Sequence, residues 1–335
     1  MKDFSSIIVS SKVKLMRNLA GFTFPSMIDE DDGTKVLNKV AETVLGLKKS
    51  YKIYKVSTLP ELDVNVMREK KLVSSKLIDA FNFSAVILSE DEKVSIMINE
   101  SDHIVEQCNL TGFNLIQAYD IISSLDDQIV SKLDIAFDNS IGYLTSNIAN
   151  VGTGLKASIT MFLPALTNNG AIKDIISKIQ MQGFEVNSID DDNDNHAYFY
   201  TFSNFYTIGK KENEIVVRLT ELAIQIADRE FSARKELLTY NKFDNITDMV
   251  LRAWGILTNC YKISVDEAIK LLGQLKIGIA LDIIRVKDVN VIENLMIDIQ
   301  PYSLTKISES KIAMADLDKF RAKFISNILK TNRIR

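Results

Sequence analysis

The stretch "IIVSSKVKLMRN", residues 7–18, is rich in β-formers and reads as a strand. In a strand, residues two apart leave from the same face, so Lys12 and Lys14 point the same way, with Arg17 three residues further on. Two ammonium groups presented side by side call for an anion.

Beyond this strand, "TKVLNKVAETVLGLKK" carries Val36, Leu37, Val40, Val44 and Leu47 at helical spacing, the pattern of one amphipathic helix. From Ala85 the texture changes to "AVILSEDEKVSIMINE", two β-rich runs around a polar turn, which predicts a hairpin ending at Glu100. A helix is expected over 114–132. Two short strands around an Asp-Asn-Ser turn follow in "LDIAFDNSIGYLT", then a helix in "AIKDIISKIQ", and "HAYFYTFSNFYTIG" reads as strongly β. After about Lys211 the chain is nearly continuous helix. These signals predict an α+β fold with an antiparallel sheet, residues 1–234, followed by a helical domain, residues 235–335.

The 335 residues are 46% hydrophobic and 25% charged, enough for a full core and two domains. A net charge of −4 argues against broad nucleic-acid binding, which needs a basic face. Cys108 and Cys260 stand far apart with no CxxC, so two reduced core thiols are expected rather than a disulfide framework or a zinc site. The opening "MKDFSSIIVSS" has no apolar signal-peptide run, and no apolar stretch approaches the roughly 20 residues of a membrane span. A cytoplasmic protein away from membranes is expected.

Three local patterns invite chemistry. "GTGLKA", Gly152 to Ala157, fits G-x-G-x-x-A, but it lies mid-chain after antiparallel strand signals rather than in an early βαβ unit, so a tight structural turn is the better reading. "DDDNDN", with Asp190, Asp192 and Asp194, lacks the glycine and the later glutamate of a calcium loop and reads as a solvated loop. His103 and His196 show no metal-ligand spacing, so no metal site is expected and His103 reads, on its own, as structural.

Three segments taken together go further: "IIVSSKVKLMRNLAGFTFP" (7–25), "VSIMINESDHIVEQ" (94–107) and "GYLTSNIANVGTGLKASITMFLPAL" (142–166). In this order and spacing the chain resembles the ATP:guanidino phosphotransferases, nearest their bacterial protein arginine kinases. The resemblance implies an eight-stranded antiparallel sheet flanked by helices, with a helical dimerisation domain after it. It also implies transfer of the γ-phosphoryl of ATP, carried with Mg, to a guanidinium. That chemistry is mostly positioning and charge neutralisation.

The departures from the family pattern are as informative as the matches. The family writes the first motif SSR-x-R-x-x-R, so Lys12 and Lys14 replace two phosphate-binding arginines while Arg17 is kept. A lysine keeps the charge but loses the planar fork. In the second motif, NEEDH-x-R, Glu100, Asp102 and His103 are kept, Ser101 replaces the acceptor-orienting glutamate and Val105 replaces an arginine. In the third, CPTNVGTGLRA, Asn147 replaces the cysteine and Lys156 another arginine. A fifth arginine, expected in an RG-x-YGEG segment, has no counterpart, since no Arg or Lys occurs between Lys178 and Lys210.

The resemblance therefore makes Glu100 and Asp102 the remaining catalytic candidates, and Lys12, Lys14, Arg17, His103 and Lys156 the nucleotide-binding ones. A phosphoarginine-binding motif RD-x-x-RA survives in part as Asp318 and Arg321, with Leu317 at its first arginine; a plain surface i,i+3 ion pair is the better reading of the two. With so many donors altered, a catalytically impaired pseudokinase with a regulatory or scaffold role in arginine phosphorylation and quality control is expected. The alternative is an active arginine kinase with a rearranged site. The expected partners are a second copy of the chain and, by family analogy, an authentic arginine kinase, its activator or other quality-control proteins.

Overall fold

A computed structural model describes residues 4–47, 50–78, 82–188, 198–238, 240–309 and 312–333. Its strands are β1 (Ile8–Arg17), β2 (Lys52–Lys55), β3 (Ala85–Leu88), β4 (Val94–Ile98), β5 (Ile104–Thr111), β6 (Phe137–Asp138), β7 (Gly142–Tyr143), β8 (Leu155–Phe162), β9 (Phe184–Ser188) and β10 (Phe199–Asn204). Its helices are α1 (Glu30–Leu45), α2 (Glu61–Glu69), α3 (Ser75–Ile78), α4 (Leu115–Val130), α5 (Pro164–Asn168), α6 (Ala171–Met181), α7 (Glu212–Leu237), α8 (Tyr240–Asn259), α9 (Val265–Ala280), α10 (Val291–Asp298), α11 (Pro301–Ile307) and α12 (Leu317–Asn332).

Eight strands form one sheet in the order β2-β3-β4-β5-β1-β8-β10-β9, so the opening strand sits near its centre. β1 is antiparallel to both its neighbours, β5 and β8, and β2 to β5 form an antiparallel run. This is the α+β sheet expected from the sequence. The alternation along β1 decides what each face does. Val13 and Leu15 join Leu155, Ala157 and Ile159 of β8 in full burial on one face, where α4 packs with Ala118, Ile122, Leu125 and Ile129. The other face carries Lys12 and Lys14.

The expected hairpin is β3–β4, closed by residues 89–93, and the Asp-Asn-Ser turn joins β6 to β7, with Asp138 Oδ1 accepting from Ser140 N at 2.7 Å. Helix α1 is capped by Asp29, whose side chain accepts from Asp32 N, and buries Val36, Leu37, Val40 and Val44; it stops at Leu45, so Leu47 falls outside it. Within the aromatic run 196–209, whose first two residues lie outside the described ones, the strand covers Phe199–Asn204, and 205–209 are not strand.

The chain divides into two compact units. Unit 1 holds Met1–Met161, Lys173–Asn187 and Thr201–Ala227; unit 2 holds Phe162–Ile172, Ser188–Tyr200 and Asp228–Arg335. The division falls inside α7, not at a single cut after 234, and the chemistry within unit 2 explains why. Glu230, fully buried on α7, accepts from the backbone N–H groups of Ala165 and Leu166 at 3.1 and 3.0 Å and pairs with Arg234 at 2.8 Å. A buried carboxylate satisfied in this way ties the start of α5 to the helical unit. Further along unit 2, α8 packs against α9 and α12. Among the described residues no helix is long and apolar enough to cross a membrane. Cys108 is buried, whereas Cys260 is half exposed and so is not a core thiol.

Candidate functional site

The polar face of the central sheet lies in unit 1. Lys14 stands opposite Gln107 of β5 and Lys156 of β8, and Lys12 opposite Asn109 and Ser158, so six polar side chains share one patch of pleat. Neither Lys12 nor Lys14 pairs with a carboxylate among the described residues. Burial, then the ammonium groups of Lys14 and Lys71, push Lys12 down to about 7. Burial also lowers Lys14; Glu100 opposes that shift and Lys76 adds to it. Lysines held together without a directly paired carboxylate are destabilised as cations, and an arriving anion relieves both desolvation and repulsion.

Lys156 differs from this pair. Its ammonium meets Glu185 Oε2 at 2.5 Å and the carbonyl of Asn204 at 2.7 Å, so its charge is already answered from within the fold.

The carboxylates kept in the second motif are also committed. Glu100 accepts from Ser74 Oγ and from the backbone N–H of Ser101. Its burial opposes ionisation, but these bonds and the Lys14 ammonium outweigh it and hold the carboxyl below its usual range. Asp102 is 1% exposed, and its Oδ1 accepts from Asn18 Nδ2 and from Ser146 N, both at 2.7 Å. It joins the end of β1 to the 144–147 loop, and burial raises its carboxyl. Ser101 sits between them, half-buried, with its hydroxyl 3.3 Å from Asp102 Oδ2. Asn147 is exposed, and its side chain caps the 3-10 turn at Ile148–Asn150.

Three candidates turn out to be structural. Arg17 is fully buried on the opposite face from Lys12 and Lys14, with Nη2 at 2.7 Å from Asp126 and 3.3 Å from Glu212, and Nη1 donating to the carbonyls of Met16 and Thr153. The Tyr143 ring stacks on its guanidinium at 3.7 Å. No phosphate reaches it, because the odd position on the strand points it into the core. His103 is buried, its Nδ1 accepting from Leu19 N and its Nε2 donating to the Thr23 carbonyl, between the edges of Phe22 and Phe24. Burial pushes it down to about 4, so it is a neutral strut near pH 7. In unit 2, Arg321 is 2% exposed and donates to the carbonyls of Ile299 and Ile263 while pairing with Asp318. That guanidinium latches three backbone segments, and the surviving half of the phosphoarginine motif is not an open pocket. Asp190, Asp192, Asp194 and His196 lie outside the described residues.

The glycines of "GTGLKA" serve close backbone approach. Gly154 has φ +66°, and a Cβ there would lie 2.5 Å from the Met16 carbonyl oxygen and 2.6 Å from Arg17 Nη1. Gly154→Ala is expected to cost more than about 2 kcal/mol, since it combines a left-handed backbone with a clash against the Arg17 cluster. Chemical denaturation measures it, and an unchanged unfolding midpoint would contradict this reading.

Two residues near the lysines, Lys71 and Lys76, were missed because "REKKLVSSK" (68–76) has the look of a solvated charge run. The buried spacing of Leu72 and Val73 inside it, and of Leu77 directly after it, is the signal that the segment is anchored.

Comparison with known proteins supplies the context. Residues 34–233 match the model for the ATP:guanido phosphotransferase C-terminal catalytic domain, and residues 243–334 the model for the protein-arginine kinase McsB C-terminal domain. The chain is 37% identical over 331 residues to a protein-arginine kinase of Clostridium tetani, covering 98% of this chain and 97% of that one. It is 36% identical to one of Bacillus licheniformis, covering 97% and 91%. A lombricine kinase crystal structure superposes with a TM-score of 0.61 at 19% identity, covering 70% of this chain and 69% of that one, which shows a shared fold.

Proposed function

We propose, on the premise that the chain belongs to the ATP:guanido phosphotransferase family in its protein-arginine kinase branch, that it is a catalytically impaired member that still binds the phosphate chain of a nucleotide on its Lys12–Lys14 face. The observation that carries the reading is the state of the acids. Ser101 stands where the family places its acceptor-orienting glutamate, and the carboxylates on either side are tied to Ser74, Asn18, Ser146 and the local backbone. A hydroxyl has neither the charge to orient a guanidinium nor the basicity to take its proton. The lysines fit a phosphate chain as point charges, and Mg would arrive with the nucleotide, whose phosphates supply much of its coordination. Its role is then regulatory or scaffolding within arginine phosphorylation and protein quality control. It acts as a homodimer through the helical part, in the company of an authentic kinase or its activator.

Titration calorimetry with Mg-ATP, run beside an assay for phosphoarginine on a protein acceptor, tests this reading. Binding without transfer is expected. Transfer abolished by Lys156→Ala would overturn the impairment, and absence of binding at millimolar ATP would overturn the phosphate site. The pH dependence has a defined sign. Free Lys12, lowered to about 7, is largely neutral at pH 8.5, and phosphate restores its charge, so binding takes up a proton. Affinity should fall between pH 6.5 and 8.5, by at most about tenfold per unit above 7. The phosphates themselves gain charge over that range and would push affinity the other way, so a decline reports on the lysine. Constant affinity, with no proton uptake in buffers of different ionisation heat, would refute it.

A further inference from the structure

The segment that follows α2 lies over the lysine face and is anchored on either side of it. Leu72, Val73 and Leu77 pack with Met16, which leaves β1 on the same face as Lys14, in a cluster with Met97 and Val105. Gln107, the cross-strand neighbour of Lys14, donates its Nε2 to the carbonyl of Lys71 at 2.8 Å. Ser74 donates to Glu100, the carboxylate whose charge acts on Lys14. Between these anchors Lys71 and Lys76 are exposed. Neither ammonium is paired with a carboxylate among the described residues, whereas the adjacent Lys70 pairs with Glu92 at 3.0 Å. Lys71 also has φ +61°, just past the end of α2, where glycine is the ordinary choice. The fold thus holds a lysine in a costly conformation at this point.

We propose that Lys71 and Lys76 are two further anion-binding residues, which complete with Lys12 and Lys14 a four-ammonium site for a polyphosphate chain. The inference rests on the reading of that face as a phosphate site and adds a second wall to it, from outside the motifs that carry the family resemblance. Mutual fields agree with the geometry, since Lys71 acts on Lys12 and Lys76 on Lys14. Four point charges select by the number of phosphate charges more than by fork geometry. Inorganic tripolyphosphate should therefore bind comparably to ATP, and both should bind more tightly than AMP.

The test is calorimetry of the full chain with tripolyphosphate, ATP and AMP at several salt concentrations. Lys71→Gln with Lys76→Gln should weaken tripolyphosphate by roughly ten- to a hundredfold and flatten the salt dependence, while Lys70→Gln changes neither. Lys71→Gly separates charge from backbone: it should raise the melting temperature by relieving the left-handed strain and still weaken binding. If the double variant binds as wild type while Lys12→Gln with Lys14→Gln abolishes binding, this inference falls and the phosphate face stands. If the wild type binds neither ATP nor tripolyphosphate, both fall.

Discussion

Replacing Arg17 with methionine should cost on the order of 3–5 kcal/mol of stability at pH 7, the effect of stripping the cation from a buried ion cluster. Arg17 is fully buried, and the charges it answers come from α4 and α7: Asp126 at 2.7 Å and Glu212 at 3.3 Å, with the buried Glu106 of β5 close enough to feel the same field. Burial, then Asp126, raises the carboxyl of Glu106 well above its usual range, and burial raises Glu212 as well. A carboxyl with a raised folded value binds more protons folded than unfolded, so stability falls as pH climbs above the ordinary carboxylate range toward that value. Without the arginine these acids face one another with only the Tyr119 hydroxyl left to answer Glu212, and the fall steepens. Urea unfolding at pH 7.5 and 5.5 should therefore show a larger penalty for Arg17→Met at the higher pH. A penalty below about 1 kcal/mol at both would return Arg17 to the list of ligand-binding residues.

Rebuilding the family's donors should produce the largest gain in function. Ser101→Glu together with Lys12→Arg, Lys14→Arg and Lys156→Arg, and with Glu185→Gln to release the fourth cation, should raise arginine phosphorylation by at least about a hundredfold. Ser101→Glu alone should recover far less, because groups that act on one transition state lose and regain their effect together. The readout is acid-labile phosphate on a protein acceptor, followed by phosphorus NMR. A wild-type rate equal to that of the rebuilt protein would show that lysines and serine already suffice. The comparison depends on the carboxylate at 101 reaching an open site, which its half-buried position between Glu100 and Asp102 allows.

Much of the fold was legible because its signals are local. The hairpin at 85–98, helix α1 and the two-strand turn at 137–143 follow from periodicity and turn chemistry within a dozen residues or so. The shared face of Lys12 and Lys14 likewise follows from the strand period. Arg17 was misread for the opposite reason, and Arg321, whose i,i+3 pairing with Asp318 was expected, was misplaced only in depth, since the pair is buried on the arginine side. A motif shows that a guanidinium is present, but its partners lie 109 and 195 residues away for Arg17, and 22 and 58 for Arg321, so only the folded chain reveals that the charge is spent. The two family-model matches meet near the expected boundary, while the compact units divide inside α7 for a similar reason, since Glu230 reaches back across more than sixty residues to the start of α5. The β signal of 205–208 failed because the strand ends at Asn204, and the exposed Phe205 and Tyr206 beyond it pack edge to face on each other.

The pairing of Lys156 with Glu185 means that this site carries its own competitor. A carboxylate held 2.5 Å from the ammonium by strands of the same unit has an effective concentration set by its tether and not by the solution, commonly in the millimolar range or higher. Any phosphate that reaches this lysine must first displace it. If the Lys12–Lys14 face binds phosphate as proposed, the fold sets an internal threshold below which dilute anions would engage that side alone, and only a ligand already anchored there would acquire the local concentration needed to unseat Glu185.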